Sequence, residues 1–184
     1  MISDYTQIKI QLKSKLEELS AKLSNIDQVK TTILCIPRHG YATTKVNIES
    51  IYQNTENFVL IYIDLNSPPC IQDYMLQFEK HHENFFHLRV DQFISRQSAR
   101  LVVLDLIKTE YTLFMDNNIL VSKDWLIHLI DASKNNNATI VSPLITMQGG
   151  NIHFSGSKII DNGILGHSRV QTTEEMPMLM NITI

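Results

Sequence analysis

Two acidic side chains stand where apolar runs stop: Asp64 after Phe58-Val-Leu-Ile-Tyr-Ile63, and Asp116 after Tyr111-Thr-Leu-Phe-Met115. In open α/β sheets the ligand crevice lies outside the carboxyl ends of the strands, so a buried strand can deliver a carboxylate straight into it. A carboxylate there accepts hydrogen bonds from a pyrimidine ring N–H or from ribose hydroxyls, or ligates a hard divalent cation bound to diphosphate. The same acids can equally cap the helix that follows, so spacing alone leaves both readings open. His39 follows Pro37-Arg38 in the loop after another apolar run, where it meets a phosphate, a base or only solvent. His81-His82 have no acidic or sulfur partner at ligand spacing and read as solvated.

The elements that must position these residues alternate. Tyr5, Ile8, Leu12, Leu19, Leu23 and Ile26 fall at spacings of three and four, reinforced by Leu16, with charged residues on the other faces. This predicts an amphipathic helix over residues 1–28. It either docks on its own domain or forms a short coiled coil that joins two chains in a homodimer. From residue 29 to 184 the pattern predicts one domain. Buried strands are expected at Thr31–Ile36, Phe58–Ile63, Phe85–Val90, Tyr111–Met115 and Ala138–Ser142. Helices are expected after Thr43 or Thr44, through Tyr74, Leu76 and Phe78, over Ser95–Ile107, and over Trp125–Ser133. Phe85, Phe86 and Trp125 read as packing residues. Ile152–Ile160 with Asp161-Asn-Gly163 reads as a β-hairpin region. Apolar strands alternating with helices imply an α/β fold, a mostly parallel sheet flanked by helices.

The 184 residues are 43% hydrophobic, enough for one domain with a sizeable core. A net charge of −3 and a pI near 6.1 give no basic footprint for nucleic acid. No segment has the apolar length to cross a bilayer, and the first residues lack the cationic and apolar regions of a secretion signal. The expected location is cytoplasmic. There the thiols of Cys35 and Cys70 stay reduced, and the glycosylation-type triplets at Asn137 and Asn181 carry no meaning.

Several motifs occur in one order. Ile33-Leu-Cys-Ile-Pro37 is similar to the opening strand of family-two glycosyltransferases, and Ile61-Tyr-Ile-Asp64 to their second strand. Arg96-Gln-Ser-Ala99-Arg100 resembles their Ala-Arg-Asn helix, with Leu101 where Asn is usual. Glu110-Tyr-Thr-Leu-Phe-Met-Asp116-Asn117-Asn118 resembles the strand that ends in Asp-x-Asp, with Asn118 in place of the last acid. Val121-Ser-Lys-Asp-Trp125-Leu126, Val141-Ser-Pro-Leu144 and Gly150-Asn-Ile-His-Phe-Ser-Gly156 continue the likeness, which spans roughly Thr31 to His167.

The resemblance implies a GT-A fold with a Rossmann-like nucleotide-binding half. It implies a transferase that takes a nucleoside-diphosphate sugar, inverts the anomeric centre, and acts on an unidentified acceptor. By the same token Pro37, Arg38, Asp64, Arg100, Asp116 and Asn117 would bind the nucleotide sugar, with Asp64 at the base and Arg100 and Asp116 at ribose and diphosphate. Asp116 and Asn118 would hold a divalent cation, Mg²⁺ or Mn²⁺, weakly because Asn118 is neutral. Family members carry an acidic general base in an acceptor-side half; Glu174-Glu175 falls too early in the family order for that role, so the acceptor side reads as truncated. The alternative is a GT-A-like binding or assembly module without turnover.

Overall fold

The computed structural model describes residues 4–24, 26, 29–38, 40–92, 94–147, 150–155, 157–160, 164–167 and 181–183. They fall into two compact units, one built on residues 4–45 and 56–118, the other on 46–55 and 119 onward.

The first unit holds four parallel strands: β1 (Thr31–Ile36), β2 (Phe58–Leu65), β3 (Phe85–Val90) and β4 (Tyr111–Asp116), in the order β3-β2-β1-β4. Parallel neighbours need crossovers. In this unit they carry the helices α4 (Pro69–His81) and α5 (Arg96–Val103), while α3 (Thr44–Asn54), between β1 and β2 in the chain, falls almost wholly in the second unit. Every residue of β1 and β2 is buried, as their unbroken apolar runs require of central strands covered on both faces. β4, an edge strand, is less covered: Thr112 and Phe114 are exposed, Tyr111, Leu113 and Asp116 partly covered, and Met115 is buried.

One face of the sheet carries the main core. Leu34, Ile36, Ile61, Ile63, Leu88 and Val90 pack with Ala99, Val102 and Val103 of α5. Ile8 of α1 (Asp4–Gln11) and Leu19 of α2 (Lys13–Ser24) belong to the same cluster, and Leu12, Leu16, Leu23 and Ile26 pack against it. The amino-terminal stripe therefore buries itself on this sheet. It does so as two helices that meet at Leu12, where the Ile8–Leu12 and Leu12–Leu16 backbone bonds still hold at 2.9 Å. The opposite face carries α4, whose Phe78 meets Phe85 edge-on at 5.1 Å and stacks on His82 at 3.9 Å. Cys35 projects from β1, fully buried, and burial with the nearby Asp116 charge pushes its thiol pKa well up; Cys70 is exposed, and the two are not bridged. The free edge of β3 is blunted: the backbone N–H of His87 donates to Glu79 Oε1 of α4 at 3.3 Å, and Lys22 of α2 reaches the same oxygen at 4.0 Å.

The helix expected over Ser95–Ile107 is shorter. Ser95 caps it, its Oγ accepting from Ser98 N at 3.0 Å, and it tightens after Val103 into a 3-10 turn, Leu104–Leu106.

In the second unit, Trp125 opens α6 (Trp125–Asn135), is buried, and donates from its indole to Thr55 Oγ1 at 2.8 Å. Asn54 donates to the Val121 carbonyl at 3.2 Å. β5 (Leu144–Thr146) lies between β6 (Ile152–Phe154) and β9 (Asn181–Thr183), and β7 (Ser157–Ile160) pairs antiparallel with β8 (Ile164–His167). The strand expected over Ala138–Ser142 does not form. Pairing starts only at Leu144, after Pro143, and Ile140 is left 87% exposed. Among the described residues no helix is long and apolar enough to cross a membrane.

Candidate functional site

The parallel register sets the site. Ile36 of β1 is level with Asp116 of β4, and Cys35 is level with Tyr62 of β2, so Asp64 and Asp116 leave the same, carboxyl edge of the sheet. They flank β1, about 10 Å apart at roughly 4.8 Å per strand. Their side chains take opposite faces, since Asp116 shares the parity of Ile36, and Asp64 that of Cys35.

On its face, Asp116 meets α5. Arg96 Nη1 lies 2.7 Å from Oδ1, and Arg38, from the loop after β1, places Nη1 3.5 Å from Oδ2. One helical turn further along α5, the Arg100 guanidinium stands 5.1 Å over the ring of Phe114, two residues back on β4. The Nε of Arg100 is buried without a hydrogen-bond partner, and so is Oδ1 of Asn118. A buried donor and a buried acceptor left open are unusual enough that each calls for a ligand or a water.

Asn117 does something else. It is buried, and its amide is used within the protein: Oδ1 accepts from the backbone N–H of Arg38 at 3.1 Å, and Nδ2 donates to the Gly40 carbonyl at 2.7 Å and to Thr44 Oγ1 at 2.9 Å. Thr43 Oγ1 donates to the Asn117 carbonyl at 3.1 Å. Asn117 thus ties the end of β4 to the loop that carries Pro37 and Arg38. Gly40 in that loop has φ +153, a backbone that side chains other than glycine's rarely tolerate. His39 lies outside the described residues.

Asp64, which the resemblance places at the base, is fully buried and engaged by four donors. Ser67 N reaches Oδ1 at 2.7 Å, and Ser67 Oγ, His87 Nε2 and Arg89 Nη1 reach Oδ2 at 2.7, 3.1 and 3.0 Å. Arg89 also grips Asn66 Oδ1 at 3.0 Å, holding Asn66 at φ +60. Burial works against the Asp64 charge, but the hydrogen bonds from His87 and Ser67 outweigh it and keep the carboxyl below its ordinary pKa. Tyr41 completes the frame by donating its hydroxyl to the Leu65 carbonyl. Burial, followed by the Asp64 charge, pushes that phenol up to about 12, so it stays protonated as a donor.

No family model and no curated protein matches the chain by sequence. By structure the chain is similar to GalNAc-T7, solved with UDP, GalNAc and Mn²⁺, at a TM-score of 0.58 and 15% identity, over 82% of this chain and 32% of that one. It is also similar to S. aureus TarS 1-349, at a TM-score of 0.50 and 13% identity, over 64% of this chain and 35% of that one. The chain spans about a third of the length of these structures. At such identities the likeness is one of fold, and the fold is α/β and GT-A-like, a four-stranded parallel sheet flanked by helices.

The donor set does not fit the divalent cation that the resemblance implies. The Asp116 carboxylate is already engaged by two guanidiniums, and Asn118 offers one neutral oxygen. Among the described residues no three His, Cys, Asp or Glu side chains come together as ligands. Hard divalent cations are held by several oxygen ligands, chiefly carboxylates, and the positive charge of two adjacent guanidiniums opposes their approach.

Proposed function

We propose that this chain is the nucleotide-sugar-binding part of a glycosyltransferase, acting on a nucleoside-diphosphate sugar and a hydroxyl acceptor. The observation that carries the reading is the Arg38–Asp116–Arg96 cluster at the carboxyl edge of a parallel sheet, where α/β folds bind ligands. Arg38 and Arg96 face the diphosphate, and Arg100 stands a turn further along for ribose or phosphate. Pro37 and the Leu65–Ser67 loop border the base, with Asp64 setting that loop from beneath. Asn117 acts by holding Arg38 in place, and Asn118 offers its open oxygen to a sugar or ribose hydroxyl. Two unbridged thiols accord with a cytoplasmic setting.

In an inverting transfer the acceptor oxygen attacks the anomeric carbon as its bond to the diphosphate oxygen breaks. The acceptor proton passes to a base, a role to which no described residue is assigned. A binding module without turnover is the second reading, favoured by the neutral Asn118 and by the engaged Asp116 carboxylate.

Calorimetry with UDP, GDP and ADP tests the first step. Binding of at least one is expected, weakened about tenfold or more by Asp116→Ala, which frees the two arginines it orders. Failure of all three, and of their hexose conjugates, rejects the reading. Release of nucleoside diphosphate from a bound sugar conjugate separates enzyme from binding module.

A further inference from the structure

The carboxylate at the end of β4 is occupied by the protein's own cations. Resting on the nucleotide reading, we propose that Arg38 and Arg96 supply the positive charge a divalent cation would bring to the diphosphate, so that a nucleoside diphosphate binds this chain without metal. The charges point that way. One carboxylate and two guanidiniums sum to +1, an arrangement that attracts an anion and repels a further cation.

Exposure points the same way. The Asp116 side chain is 16% exposed, whereas those of Arg38 and Arg96 are 41% and 35% exposed, so the acid is covered and the cations face outward. Arg96 makes its contact to Asp116 through Nη1 alone, and a guanidinium fork presents further N–H groups with the geometry of paired phosphate oxygens. Both arginines are ordered before any ligand arrives. Arg96 is the first residue of a helix capped by Ser95, and the backbone of Arg38 is held by Asn117. Ordering in advance reduces the entropy lost on binding. Asn118 fits the same account: its buried, open Oδ1 can accept from a hydroxyl and adds no charge to compete with the phosphates. Asp116 on this view is a positioning residue for two arginines and not a metal ligand.

The test titrates UDP, UMP and uridine into the intact chain, once in EDTA and once in Mn²⁺. UDP is expected to bind at least about tenfold more tightly than UMP in EDTA, with Mn²⁺ changing that margin by less than about twofold. Arg96→Gln should erase the margin and leave uridine binding unchanged, while Arg96→Lys, which keeps the charge but not the fork, should retain part of it. Arg38→Gln, in a half-exposed loop position, reads the same margin independently should Arg96→Gln not fold. A gain of about tenfold or more in UDP affinity on adding Mn²⁺, or an intact margin in the arginine variants, overturns the metal-free proposal and leaves the nucleotide reading standing. No binding of any of the three ligands in either buffer removes both.

Discussion

Asn117 shows how a single side chain governs a loop. Its amide oxygen and both amide hydrogens are committed to Arg38 N, Gly40 O and Thr44 Oγ1. Asn117→Ala leaves these buried groups unmatched and is expected to cost about 1–3 kcal/mol, read as a lower urea midpoint. It should also weaken UDP binding in protein that still folds, because Arg38 loses its anchor; unchanged affinity would detach Asn117 from the site. Asp64 predicts a pH effect. Its folded pKa lies below the unfolded value of about 3.8, so its stabilisation is fully present above that value and is lost as pH falls through the folded one. Urea melts from pH 7 to pH 3 should lose stability below about pH 4, and Asp64→Asn should flatten that slope. The two strand-end acids could be read from the sequence because apolar runs stop at them. Their partners were harder to see. His87 and Arg89 alternate along β3, and a basic pair on one parity of an otherwise apolar strand signals a buried acid opposite. Ser67 stands three residues after Asp64, the spacing of a turn that closes on its own carboxylate. Neither signal names its partner without the register.

At the scale of elements, α5 and β4 match rung for rung. Four helical residues rise about 6 Å and two strand residues about 6.6 Å, so Arg96 and Arg100 stand opposite Asp116 and Phe114 as the helix runs back along the strand. Sequence reasoning chose Arg100 by motif and passed over Arg96, although the i, i+4 spacing places both on one face of the helix. The amino-terminal stripe was legible as amphipathic, but its meeting point at Leu12 was not, since no proline or glycine marks it. Leu19 is 5% exposed in the core of the sheet, so Leu19→Ala is expected to cost about 2–5 kcal/mol in urea denaturation. Sedimentation of the folded variant should match that of the parent; a drop from dimer to monomer would instead favour pairing of chains through this helix. The strand expected near Ala138 rested on a short apolar run, which by itself does not show whether a neighbour covers it, and Ile140 stays 87% exposed.

For the molecule as a whole, the sheet order predicts where stability resides. β1 and β2 are buried along their full length, while β4 is less covered. Native-state hydrogen exchange should therefore be slowest in Thr31–Ile36 and Phe58–Leu65 and measurably faster in Tyr111–Asp116. Equal protection across all four strands would contradict this ranking. The fold class was readable because unbroken apolar runs separated by helical patterns admit few arrangements. The chemistry at its edge was less so. The identity of Asp116 is visible in one dimension, but the arginines that engage it come from segments 20 and 78 positions away, and only the folded register unites them.

The two thiols give the protein a built-in clock. Cys70 lies open to any water-borne alkylating reagent, whereas Cys35 is sealed near the carboxyl end of β1, its sulfur protonated and out of reach. Under native conditions one equivalent of reagent should react at once, and the second only as fast as β1 parts from its neighbours. Mass spectrometry of the half-labelled chain would then time the rarest opening of the sheet without any denaturant. A bound nucleotide that stabilises the strand ends should slow that second event, giving a readout of occupancy that needs neither dye nor turnover.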